Sequence, residues 1–218
     1  GQLSLTKAIV LVDADVNPRD RRSVFEAIAR HFDPAEDFLL IPGVPLDTLD
    51  FTSGRMNLGS KLVIDAQSHA RAVGSSGGSA TAALAPASLL ETVPDPRAID
   101  ARVKTWALRW GGMLVVQVAS EGRAVVESLV RRPEYAGVKL LAVVSEDVPL
   151  DDDELLLWGI FTRFDCARDL VPASTETRGA WTVCRGPLGI DATWKQGYPD
   201  PVANLPEIVA DVNGWWGR

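Results

Sequence analysis

The chain is short of the side chains on which most enzyme chemistry rests. Its 218 residues include only two Cys, two His, two Met and two Tyr. Cys166 and Cys184 stand 18 positions apart, which makes neither a disulfide framework nor a CxxC metal site. Positive charge is also in deficit. With 22 Lys+Arg against 29 Asp+Glu the formal net charge is −7, against the basic stripe that a nucleic-acid binder needs to displace counterions. No apolar run approaches the roughly 18 residues of a membrane span. The opening GQLSLTK lacks the basic-then-apolar design of a signal peptide, so a cytoplasmic setting is expected. The run Gly74-Ser75-Ser76-Gly77-Gly78 has G-x-S-x-G spacing, but no strand leads into it as a nucleophile elbow requires and no lysine follows it as a phosphate loop requires.

What is present reads as an α/β domain, since 46% of the residues are hydrophobic and 23% charged. Residues 7–13, KAIVLVD, form a compact run rich in branched side chains that predicts a buried parallel strand. From Arg21 the period changes: Val24, Phe25, Ile28 and Phe32 repeat at three to four residues, predicting an amphipathic helix capped by Asp20 and ended by Pro34. FLLI at 38–41 predicts a second strand closed by PGVP. Within the stretch 71–96, rich in Gly, Ser, Ala and Pro, residues 73–80 read as a flexible linker or mobile loop, and a short helix is expected over 98–110. Strands at 113–119, 139–145 and 169–171 then alternate with helices at 121–132 and 152–164. That alternation implies a mostly parallel sheet flanked by helices.

The chain also resembles itself. Laying residues 7–40 on 139–172 without a gap gives ten identities in 34 positions, among them Lys7/Lys139, Asp20/Asp152, Ile28/Ile160, Phe32/Phe164, Asp33/Asp165 and Asp37/Asp169. Average composition predicts about two. Ile64-Asp65-Ala66 recurs as Ile190-Asp191-Ala192. The fold expected is therefore built from two duplicated strand–helix–strand units, each followed by a Gly-rich loop ending in IDA. The organisation expected is a first unit over 1–70, a linker over 71–104, a second unit over 105–195 and a C-terminal tail over 196–218 that packs on a neighbour.

Several of these residues carry a resemblance. Thr6-Lys7, Asp13-Ala14-Asp15-Val16, Leu49-Asp50-Phe51 and Ser60-Lys61-Leu62-Val63-Ile64-Asp65-Ala66 resemble the C-terminal domain of the UbiD family, the decarboxylases that use prenylated flavin mononucleotide. In the second half, Thr162-Arg163, Ala167-Arg168-Asp169 and Gly189-Ile190-Asp191-Ala192-Thr193 fit the same pattern. The terminus GIDATWKQGYP looks like the longer branch associated with menaquinone synthesis through futalosine. The chain departs from the pattern at Val63, at Gln67, and at Pro187, which stands where the first unit has Lys61.

The resemblance implies a C-terminal assembly and active-site-closing domain of a non-oxidative decarboxylase. Its substrate would be an aromatic acid of naphthoate or hydroxybenzoate type in quinone biosynthesis. Prenylated FMN and a divalent Mn ion would serve the full-length enzyme, with none expected for this chain alone and no catalytic residue within it. It further implies that Lys61 reaches the flavin phosphate, that the chain self-associates, and that it meets the catalytic domains of the same enzyme. A stand-alone flavin- or nucleotide-binding module is the rival reading. It requires a glycine-rich turn directly after a strand, and V-N-P-R-D after Asp15 and E-D-V-P-L after Ser145 have no glycine.

For Asp13, Asp15, His31, His69 and Cys166 the structural reading is the favoured one. Asp13 and Asp15 follow a strand and could hold a divalent ion, or form a turn and a helix cap. His31 falls at a helix end, His69 follows IDA, and Cys166 replaces Pro34 in the same turn. Trp158 is expected in the core, and Trp215 and Trp216 at an interface.

Overall fold

The computed structural model describes residues 5–68, 93–199 and 204–216. Two sheets pack face to face. The first has three strands in the order β1-β3-β2: β1 (Ala8–Leu11), β2 (Phe38–Pro45) and β3 (Leu58–Asp65), with α1 (Arg21–His31) between β1 and β2. The second has five in the order β4-β5-β6-β8-β7. Its strands are β4 (Val103–Arg109), β5 (Met113–Val118), β6 (Leu140–Ser145), β7 (Leu170–Arg178) and β8 (Trp181–Ala192). Helices α2 (Gly122–Val130), α3 (Asp153–Phe161) and α4 (Pro206–Trp216) complete the described elements.

The sheets are mixed, which corrects the expectation of a mostly parallel sheet. β1 runs parallel to β3, and β6 to both β5 and β8, whereas β2 pairs antiparallel with β3, β4 with β5, and β7 with β8. The expected strand–helix–strand units gain a fourth element each. The stretches read as Gly-rich loops are β3 and β8, and each is the central strand of its set, with a parallel partner on one side and an antiparallel one on the other. Glycine sits there because neighbours come too close for a side chain. A Cβ on Gly189 would lie 2.2 Å from Val126 Cγ1 of α2, and one on Gly59 would lie 2.5 Å from Leu46 Cδ2.

Other boundaries shift for equally local reasons. β1 is an edge strand, with Leu11 exposed, rather than a buried one. PGVP does not close β2: the strand runs through it with a register shift between Pro42 and Val44, where Gly43 takes φ +67°. Both prolines are tolerated because β2 is an edge. The helix expected over 98–110 is a single 3-10 turn at Pro96–Ala98 followed by β4. Trp110 and Gly111, at φ 49° and 76°, turn β4 straight into β5, and that pairing overrides helical spacing. Most of the expected linker lies outside the described residues; its described end, residues 93–104, runs into the second sheet.

The helix caps follow the sequence. Asp20 accepts from the Arg22 N–H, and Asp152 accepts from Glu154 N and Leu155 N. The Asp-rich turns recur bond for bond. Asp33 N donates to Asp37 Oδ2 at 2.8 Å, and Asp165 N to Asp169 Oδ2 at 2.8 Å. Asp65 N donates to Asp37 O, and Asp191 N to Asp169 O, each at 2.9 Å. Both of these sets of strands place their apolar face in one shared core, in which Ile28, Phe32, Leu62 and Ile64 meet Leu140, Ile160, Phe164 and Ile190. A second core lies under α2, where Val125, Val126 and Leu129 pack on Leu114, Val116 and Leu141.

Candidate functional site

The polar groups that lie away from solvent gather where the two strand sets meet. Lys7, just before β1, extends its Nζ into the second half. It stands 2.6 Å from Asp50 Oδ2, 3.2 Å from Thr52 Oγ1, 2.8 Å from the Phe164 carbonyl and 3.1 Å from the Phe161 carbonyl. The Phe161 oxygen belongs to the last residue of α3, where carbonyls lack helical partners and a cation meets the negative end of the helix dipole; Phe164 lies three residues further on. Ser60, buried on β3, donates from Oγ to Asp165 Oδ2 at 2.8 Å and accepts from Ala167 N at 2.8 Å. The reciprocal crossing is made by the β7–β8 hairpin, whose Arg178 Nη1 reaches Glu36 Oε1 at 2.8 Å.

A third cluster lies after β8. Lys195 Nζ donates to the carbonyls of Asp191, Arg163 and Thr193, with Asp169 at 3.5 Å and Asp191 at 3.7 Å. Burial pushes Lys195 below the usual lysine range and Asp169 above the usual carboxylate range. Tyr198 packs edge-on against Phe51 and Trp194, at ring separations of 4.8 and 5.6 Å. Arg163 lies over Trp194 and holds Asp147 with two hydrogen bonds, at 2.6 and 2.8 Å. Of this cluster the ring contacts of Phe51 with Trp194 and Tyr198 join one half to the other, while the hydrogen bonds of Lys195 and Arg163 stay within the second half.

The sequence-derived candidates disperse. Asp13 makes a turn through Val16 N and accepts from Ser68 N, while Asp20, not Asp13 or Asp15, caps α1. Lys61 lies on β3 opposite Ile41, not in a loop, with its Nζ on the Thr6 carbonyl. His31 occupies the last turn of α1; His69 lies outside the described residues. Cys166 is buried, which pushes its thiol up to about 12 and leaves almost no thiolate near neutrality. Trp158, expected in the core, is 70% exposed, because every side of α3 is apolar and the shared core takes Leu156 and Ile160 instead. Sequence reasoning gave Lys7, Ser60 and Lys195 no role, although Lys7 and Ser60 stand in the motifs that carry the resemblance and Lys7 aligns with Lys139.

The enclosed cavity between the two sheets does not fit a flavin. Among the described residues no set of three or more His, Cys, Asp or Glu could bind a metal ion. The cavity between the two sheets measures about 40 Å³ and is walled by apolar side chains, including Ala8, Phe38, Leu62, Leu140 and Ile190. Ligand pockets run from roughly 300 Å³, so a flavin ring has no room there. Among the described residues no helix is long and apolar enough to cross a membrane.

Comparison with known proteins places one part of the chain. An uncharacterized protein from Archaeoglobus fulgidus is 50% identical over 66 residues, which is 30% of this chain and 14% of that protein. Among solved structures, an evolved dimeric form of the UbiD-class enzyme HmfF from Pelotomaculum thermopropionicum, in complex with prFMN, is 21% identical. It covers 57% of this chain and 27% of its own, with a TM-score of 0.38. Vanillic acid decarboxylase from Sedimentibacter hydroxybenzoicus in its closed form is 13% identical over 75% of this chain and 40% of its own, with a TM-score of 0.42. The chain thus spans well under half of each relative. The resemblance read from the Thr6-Lys7 and Ser60–Ala66 motifs is met by a family: residues 1–66 match the 3-octaprenyl-4-hydroxybenzoate carboxy-lyase C-terminal domain, the C-terminal domain of UbiD.

Proposed function

We propose that the chain is the C-terminal part of a UbiD-like non-oxidative decarboxylase, serving assembly and active-site closure while the chemistry takes place in other domains of the enzyme. The observation that carries this reading is the family match over residues 1–66. That segment contains Lys7, Asp50 and Ser60, the side chains that fasten it to the second half. The substrate class we propose is an aromatic acid of naphthoate or hydroxybenzoate type in quinone biosynthesis. Prenylated FMN and a Mn ion would belong to the whole enzyme and be held outside this chain. A contact from Lys61 to the flavin phosphate is part of the proposal, and it requires Nζ to leave the Thr6 carbonyl.

Self-association is supported by α4, none of whose residues is buried and which carries Ile208, Val209, Val212, Trp215 and Trp216 outward. Descent of the two strand sets from one ancestor is supported by their matching hydrogen bonds, such as Leu62 N to Lys7 O and Leu188 N to Lys139 O, both 3.0 Å. The test combines the purified chain with prenylated FMN, Mn and a hydroxybenzoate. No CO2 release is expected; release would overturn the assignment of chemistry to other domains. Sedimentation gives the second arm, since a strict monomer would overturn the assembly role.

A further inference from the structure

The two reciprocal crossings between the halves are not equivalent, and the difference is one of charge. Glu36 and Arg168 occupy the same place in their respective Asp-rich turns, 132 residues apart. At the first crossing Glu36 meets Arg178 at 2.8 Å and the contact is closed by opposite charges. At the second crossing the turn carries Arg168, and the loop that reaches it from the first half brings Arg55. Two cations therefore line one groove. The groove has a volume of about 360 Å³ and is walled by Gly43, Ser53, Gly59, Ser60 and Ala167 besides the two arginines.

Neither arginine has a carboxylate oxygen within 4.0 Å among the described residues, in a chain of net charge −7 where most other described arginines hold one. The Arg168 guanidinium touches only a neutral acceptor, the Ser53 carbonyl at 3.3 Å. The groove holds one carboxylate, Asp165, against the two guanidinium groups, and its partners are neutral. Asp165 receives Ser60 Oγ on Oδ2 and the N–H groups of Ala167 and Arg168 on Oδ1. Two guanidinium groups against one carboxylate leave the groove with net positive charge, and guanidinium forks match the geometry of oxyanions.

We propose that this groove is an oxyanion-binding site, with Arg55 and Arg168 as its two arms and a phosphate or a carboxylate as the ligand group. The assignment rests on these residues alone and stands or falls separately from the decarboxylase reading. Calorimetric titration of the 218-residue chain in low-chloride buffer tests it, with inorganic phosphate in one arm and acetate in the other. Saturable binding is expected with Kd on the order of 1 mM, weakened at least fivefold in Arg55→Gln and in Arg168→Gln. It should be unchanged in Arg132→Gln, an exposed arginine away from the groove. Binding of phosphate alone assigns the site to phosphoryl groups, and binding of acetate assigns it to carboxylates. Absence of saturable binding of either, or binding indifferent to both groove variants, overturns the proposal.

Discussion

Replacing Lys7 with methionine tests how much of the molecule's stability passes through a single ammonium. The lysine side chain is 11% exposed and that of Asp50 is 13% exposed, so Lys7→Met strands a carboxylate away from water with only its Thr52 contacts. Removing one partner of a buried pair costs about 3–5 kcal/mol. The low end applies, because Asp50 keeps the Thr52 N–H at 3.0 Å. The Phe161 carbonyl at the end of α3 and the Phe164 carbonyl beyond it lose their donor as well. A total of about 3 kcal/mol lowers Tm by roughly 6–12 °C in a chain of this size. Urea denaturation of Lys7→Met, Asp50→Asn and the double variant closes a double-mutant cycle. The double variant should recover more than half of the single loss, since it removes the orphaned charge. A loss below about 1 kcal/mol for Lys7→Met, or a coupling near zero, refutes the idea that this pair joins the halves.

Three further outcomes are expected. Gly189→Ala drives a methyl into Val126 and Val130 of α2, at 2.2 and 2.7 Å, and should cost about 1–3 kcal/mol; adding Val126→Ala should restore part of the midpoint, and a neutral single variant refutes the close approach. Ala8→Val adds two methyl groups to the 40 Å³ cavity and should raise stability by about 1 kcal/mol in the same assay, with a lowered midpoint counting against the void. Asp100, 7% exposed, is held down to about 2 from an ordinary 3.8, chiefly by its hydrogen bonds from Arg102. Because its folded-state pKa is depressed, its contribution is present above the unfolded pKa near 4 and is lost as pH falls toward 2. Asp100→Asn should therefore cost about 1–2 kcal/mol at pH 7 and flatten the stability profile between pH 4 and pH 2. An unchanged acid limb rejects the assignment.

Local signals in the sequence carried over to the structure well, and non-local ones did not. The caps at Asp20 and Asp152, the apolar period of α1 and the FD-x-A-x-D turns were legible because each is decided within a few residues. β3 and β8 were not, since their glycines imitate loops and the reason for them is a helix or a leucine elsewhere in the chain. β4 reads as a helix until the Trp110–Gly111 turn brings it against β5. In α3, Leu-Leu-Leu-Trp is apolar on every side, so no period could say that Leu156 faces in and Trp158 out. The contacts between the halves span 105 positions for Ser60–Asp165 and 157 for Lys7–Phe164, distances over which a single sequence leaves no pattern. Lys61, read as a loop lysine, is a strand lysine for the same reason that β3 was missed.

The position of β3 and β8 has a consequence for how the polypeptide matures. In each set the strand synthesised last is the one inserted between two earlier ones, β3 between β1 and β2 and β8 between β6 and β7. Until residues 58–65 leave the ribosome, β1 and β2 have no ladder to join, and the wait repeats until residues 181–192 emerge. Closure that depends on late, distant pairing is slow and leaves strand edges open to other nascent chains. A ribosome pause before Trp181 would therefore leave β7 unpaired and one edge of β6 open, at the stage when aggregation competes most strongly with folding.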